Sequence, residues 1–225
     1  MMNIRIGCDN APDVEELIAL LPGNNKDIYE DDAEELLETI QEQGAMTPVC
    51  AWKELKVTAV GEQDLELDQV VLKCPYLARK VRLGDSVYAA VFTAGKELHQ
   101  MLSDCDDVMQ EYILGFLMSH ILTVKTVDLV EELQRVTGLS RVEMLMAGIP
   151  EICSMDQQVQ VGCMLADEFA EAGVTVKAGG NLNPTYSSTC FLLFGEEGVE
   201  IPADWKNQEQ RKEFGNRLYE QAGHA

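Results

Sequence analysis

The sequence predicts a mixed α and β globular fold, and three observations carry that reading. Val87, Tyr88, Ala89, Ala90, Val91 and Phe92 form a short apolar run rich in β-branched and aromatic residues, the pattern of a buried strand. A helical pattern opening at Asp106 and Asp107 runs towards Thr137, and its first half, residues 112–124, is apolar on nearly every side. Such a helix is buried on more than one face, which makes it a central element. Further β-type runs at 55–60, 65–67, 174–177 and 189–194 supply the rest of a sheet.

In chain order, residues 1–6 read as a short strand, and Pro12 and Asp13 precede a helix over 14–21 that Pro22 and Gly23 end. In a second helix, over 32–43, Leu36, Leu37 and Ile40 make one apolar stripe and Glu34, Glu35, Glu38 and Glu42 the wet side, with Gly44 as its stop. From Val49 the pattern turns to short β-type runs, so residues 1–60 read as a small, mainly helical region whose strand leads into the main sheet. Pro75 starts a short helix over 74–80 at its first turn. After the central strand, Thr93, Ala94 and Gly95 form a sharp turn, where glycine permits close approach, and a helix follows over 96–102. Asp106 and Asp107 cap the long helix and Gly138 ends it.

Residues 141–146 lead into a loop at Ala147, Gly148, Ile149 and Pro150, and a helix then opens at Asp156, Gln157 and Gln158 and runs to Ala172. The strands at 174–177 and 189–194 finish the core, joined by a loop too long for a tight hairpin. The core therefore spans 61–203, and residues 204–225 are a polar tail, helical over 206–221, that packs weakly.

Composition excludes several classes. With 225 residues, 46% of them hydrophobic, the chain can bury a full core, and its formal net charge of −22 makes nucleic-acid phosphate a poor partner. The seven cysteines, an odd number without a C-x-x-C pair, do not describe a disulfide framework and fit a reducing, cytoplasmic setting. The most apolar run, 113–124, is interrupted by Gly115, Ser119, His120 and Thr123 and is too short to span a bilayer. His99, His120 and His224 have no partner at metal-ligand spacing, so no metal site is expected, and His120 reads as a core histidine. No G-x-S-x-G, P-loop or G-x-G-x-x-G occurs, which disfavours a covalent hydrolase.

What remains is a set of polar turns. Glu111 and Asp128 on the long helix are each either a functional carboxylate or a structural one, Glu111 being favoured by the helix dipole. Gly115 and Ser119, four residues apart, read as a close crossing rather than as ligand access. The loop 179–186 has the composition of a small-molecule site and equally of a plain connection.

Several motifs recur in a fixed order: Thr47-Pro48-Val49 before a strand, Thr93-Ala94-Gly95 after the central one, then the apolar helix. Gly148-x-Pro150, Gln157-Gln158 and Asn183-Pro184-Thr185-Tyr186-Ser187 follow. Over residues 32–201 this order resembles the activation domain of vitamin B12-dependent methionine synthase, and its short stand-alone relatives more closely. The resemblance implies an α+β fold in which a twisted antiparallel sheet packs against helices. It also implies a role in corrinoid-dependent methyl transfer, with S-adenosylmethionine held beside cobalamin, and a corrinoid protein or methyltransferase as partner, with neither nucleic acid nor membrane involved. Being a sulfonium, the methyl donor arrives activated, so the protein need only orient it and exclude water.

The chain departs from the family where full-length members carry Arg-x-x-Pro-Gly-Tyr. The matching positions are Met144, Ala147, Gly148 and Ile149, and Leu192 stands where a further tyrosine is found. Each hydrogen bond to a charged ligand lost this way is worth about 1.5–3 kcal/mol. The residues expected to touch a ligand are Thr93, Gly95, Gln157, Asn183, Ser187 and Ser188, as polar contacts without a catalytic acid or base. The alternative is a non-catalytic binding or regulatory protein that keeps the fold without the methyl-donor site.

Overall fold

A computed structural model describes residues 12–23, 26–150, 152–205 and 207–224. The strand expected at 1–6 and Cys8 lie outside them. Helix α1 (Val14–Leu20) begins in a capping box between Asp13 and Glu16, and after a 3₁₀ turn α2 (Glu30–Gln43) ends on left-handed Gly44. Then come β1 (Val49–Val60), β2 (Leu65–Leu67), β3 (Val70–Leu72), α3 (Pro75–Lys80) and β4 (Ser86–Thr93). Helices α4 (Lys96–Asp104) and α5 (Val108–Thr137) precede β5 (Arg141–Met146), α6 (Gln158–Met164) and α7 (Ala166–Ala172). The chain closes with β6 (Thr175–Val176), β7 (Leu182–Asn183), β8 (Ser187–Phe194), β9 (Val199–Glu200) and α8 (Gln208–His224).

The main sheet has seven strands in the order β3-β2-β1-β4-β8-β5-β9, and every neighbouring pair is antiparallel. The expected antiparallel α+β architecture is thus present. At its centre β4 is buried at every residue from Val87 to Thr93, and its alternate side chains serve two cores. Val87, Ala89 and Val91 face a core with α3, α6 and α7, while Tyr88, Ala90 and Phe92 face one with the second half of α5 and α8. A third cluster joins α1, α2, α4 and the first half of α5 at the end of the sheet.

Helix α5 belongs to the second and third clusters at once, which explains its all-round apolarity. At 30 residues it is long and apolar enough to cross a membrane, but 56% of its most apolar stretch is buried inside this fold. Its N-cap is Asp107, whose carboxylate accepts from the N–H groups of Met109 and Gln110 at 2.7 and 3.0 Å.

The structure corrects three expectations and adds one strand. The single helix from Asp156 to Ala172 breaks at Leu165, whose backbone leaves helical geometry between α6 and α7. The 174–177 strand shrinks to β6 and pairs only with β7 in a separate two-stranded ribbon, outside the main sheet. Residues 141–146, which lead into the loop at 147–150, form β5 between β8 and β9. Most consequential, the C-terminal segment does not pack weakly: Phe214, Leu218 and Ala222 of α8 are fully buried against the second core. Spaced at i, i+4 and i+8, they form an apolar stripe on an otherwise polar helix.

Phe214→Ala should therefore lower unfolding stability by about 3–5 kcal/mol in denaturant titration, the usual range for emptying a buried aromatic site. A loss below about 1 kcal/mol would mean that α8 is only loosely attached.

Candidate functional site

The two turns singled out by sequence meet in space. Thr93, the last residue of β4, pairs with Ser187, the first of β8. Just beyond them the Ala94 N–H donates to the Tyr186 carbonyl at 3.0 Å, and the Thr185 N–H donates to His99 Nε2 at 3.4 Å. Gly95 caps α4 with φ at +108°, and a Cβ there would stand 2.7 Å from Thr47 Oγ1 and 2.8 Å from the Thr47 carbonyl. Only glycine satisfies both the backbone angle and the crossing. Thr47 Oγ1 in turn bonds Glu97 of α4, so the turn is tied to the segment before β1.

Within this junction two polar atoms are buried without a hydrogen-bond partner, Ser187 Oγ and His99 Nδ1. Thr93 is buried and its Oγ1 accepts from the Gly95 N–H at 3.3 Å. Ser188 pairs with Phe92, one step along the strand, and therefore turns to the opposite face of the sheet from Ser187. Asn183 sits on β7 opposite Thr175 and precedes a cis peptide to Pro184.

Gln157 is not brought to this junction. Its Oε1 accepts from the Lys73 N–H at 2.9 Å and its Nε2 donates to Asp156 at 2.9 Å, holding the start of α6 to the end of β3. The adjacent Gln158 reaches the sheet instead: its Oε1 accepts from Thr189 Oγ1 at 2.9 Å and its Nε2 donates to the Ala147 carbonyl at 3.2 Å. One residue along a helix turns a side chain by about 100°, enough to separate these roles.

The positions matched to the family's arginine and second tyrosine, Met144 and Leu192, are cross-strand partners. Both are buried beneath α8, and the Met144 N–H donates to Gln221 Oε1 of that helix at 3.1 Å. Beside them lies a network that sequence reasoning did not find. Lys125 is wholly buried and pairs with Asp128 at 2.8 Å, while Arg211 of α8 bridges Asp128 and Glu131. Arg211 also stacks over Trp205, 5.3 Å from the ring centroid, and the Thr126 and Tyr219 hydroxyls share a hydrogen bond of 2.9 Å. Burial pushes the Tyr219 phenol up to about 12.

The cysteines also divide by place. Cys74 at the start of α3 and Cys153 before α6, 79 residues apart, form a disulfide with a Cα–Cα distance of 4.5 Å. No local spacing announces this pair. Cys50 and Cys190 are free and buried, and burial raises both thiols, Cys190 to about 12. They are packing residues, and neither is a nucleophile at neutral pH.

No protein-family model matches the chain, and no curated protein matches it. Among solved structures, the crystal structure of the MetH reactivation domain bound to AdoHcy aligns with 100% of this chain and 90% of its own, at a TM-score of 0.58 and 13% identity. The chain has the fold of the MetH reactivation domain. At that identity the agreement is one of architecture.

Two results should follow. Iodoacetamide should label exposed Cys163 in the native protein and spare Cys50 and Cys190 until denaturant is added, as mass spectrometry of digests would show; native labelling of either buried thiol would contradict its place in the core. His120, whose pKa burial and then Lys212 hold below its usual value, binds fewer protons folded than unfolded. Its contribution is fully present above the unfolded pKa near 6.5 and is lost as pH falls towards the lower folded value. His120→Gln should accordingly lose less stability than the wild type between pH 7.5 and pH 5.

Proposed function

We propose that this protein is an accessory of corrinoid-dependent methyl transfer that holds an S-adenosyl ligand, as the MetH reactivation domain holds AdoHcy. The observation that supports this reading is the agreement of fold over the whole chain with a domain whose structure contains that ligand.

The chain's own residues limit how the ligand is held. Met144 and Leu192 are apolar and sealed under α8, so they do not fit a zwitterionic ligand. The Thr93 and Ser187 junction fits better, because the buried Ser187 hydroxyl lacks a partner there. When bound, the sulfonium form supplies an activated methyl group. Thr93, Gly95, Asn183 and Ser187 would orient it, Ser188 would serve the other face, and Gln157 would keep the α6 end of the site in place. Nothing in these side chains addresses a corrin directly, so cobalamin enters this reading on a corrinoid protein or methyltransferase partner in the cytoplasm. The excess of acidic residues would complement a basic patch on such a partner.

The burial of Met144 and Leu192 favours a second reading, a regulatory protein that retains the scaffold and has given up the methyl-donor site.

Calorimetric titration with S-adenosylmethionine and AdoHcy separates the two. Ligand at about 100 times its dissociation constant stabilises by about 2.7 kcal/mol, roughly 5–10 °C in Tm for a chain of this size. Binding that weakens at least fivefold in Asn183→Ala/Ser187→Ala with folding intact would support the first reading. Absence of binding by both ligands would leave the second.

A further inference from the structure

We propose that the cavity between the first half of α5 and Tyr186 is a binding site for a small quaternary ammonium ion. The cavity holds about 440 Å³, and its wall includes Tyr112, Phe116 and Tyr186, together with Val108, Glu111, Gly115 and Ser119. That volume lies at the small end of the range for organic ligands.

The wall chemistry selects the ligand. The Tyr112 and Phe116 ring centroids are 5.0 Å apart with planes inclined at 64°, an edge-to-face pair, and the Tyr112 ring also lies 6.2 Å from that of Tyr29. Aromatic faces carry negative quadrupole charge and attract cations, most of all those with dispersed charge and an apolar skin. Glu111 is exposed at the rim, and among the described residues it is the charged one of the lining, with no lysine, arginine or histidine beside it. A primary ammonium would give up a tight hydration shell on entering, whereas a methylated one gives up little.

Competing uses of the cavity are already met from within. The positive end of α5 does not draw an anion here, because the Asp107 carboxylate takes the first free N–H groups. The Ser119 hydroxyl donates to the Gly115 carbonyl at 2.9 Å, so it is not a free donor. At Gly115 a Cβ would stand 2.8 Å from the Tyr186 hydroxyl, so glycine is what lets that ring lie close against the helix. The net charge of −22 also raises the local concentration of small cations.

The test uses choline and 3,3-dimethylbutan-1-ol, which share a shape and differ in charge, titrated calorimetrically into the full chain. Choline is expected to bind at least tenfold more tightly than the alcohol. Glu111→Gln and Phe116→Ala, with folding checked by circular dichroism, should each weaken choline at least fivefold, whereas Glu38→Gln on α2 should leave it unchanged. Equal affinity for the two probes, no choline binding, or full retention in Glu111→Gln would overturn the assignment. S-adenosylmethionine is titrated in parallel: choline binding without it leaves this site standing while the reactivation reading falls, and the converse result does the opposite.

Discussion

The structure depends on one strand having no wet face. Every residue of β4 from Val87 to Thr93 is buried, with Ala89 and Ala90 at its middle, so it supplies alternate side chains to two separate cores. A slip of one residue against β1 or β8 would exchange the two sets and put Tyr88 and Phe92 where Ala89 and Val91 now pack. That requirement fixes the register of both neighbours. It therefore fixes where β4 ends, and with it the meeting of Thr93 and Ser187.

Much of this was legible in sequence because it rests on local rules. The apolar run at 87–92, Pro75 at the first turn of α3, Asp107 as a cap and Gly44 and Gly138 as helix stops are each read from a few neighbouring residues. The antiparallel arrangement came through the order of motifs, since no single segment encodes strand order. The errors fall where distant partners decide. A polar helix such as α8 is recognised as docked only when the i, i+4, i+8 series Phe214, Leu218 and Ala222 is weighed above its many charges. Strand β6 has β-type residues but takes β7, a few residues on, as its partner instead of an edge of the main sheet.

The site followed the same division. Thr93, Gly95 and the 183–187 loop were identified as turns, and turns are local; that they face each other is a consequence of β4 pairing with β8. Ser187 and Ser188 look equivalent in sequence, yet strand alternation sends them to opposite faces. Gln157 and Gln158 look equivalent too, and helical rotation gives one to β3 and the other to β8. The Lys125, Asp128, Arg211 and Glu131 network joins residues 80 and 83 positions apart, beyond the reach of any spacing rule. Lys125 is wholly buried in the fold, and its charge is matched there by Asp128.

Helix α8 also sets an order of events. The face of β5 and β8 that carries Met144 and Leu192 shares its core with Val127, Leu129, Val130 and Leu133 of α5 and with Phe214, Leu218 and Ala222 of α8, and the α8 residues follow β8 in the chain. While a ribosome is still producing them, the completed sheet has only α5 on this side, and the share that α8 will cover stays in water. Nascent chains in that condition are the ones that molecular chaperones hold. The burden of shielding this protein during synthesis thus falls on the interval between β8 and the docking of its last helix.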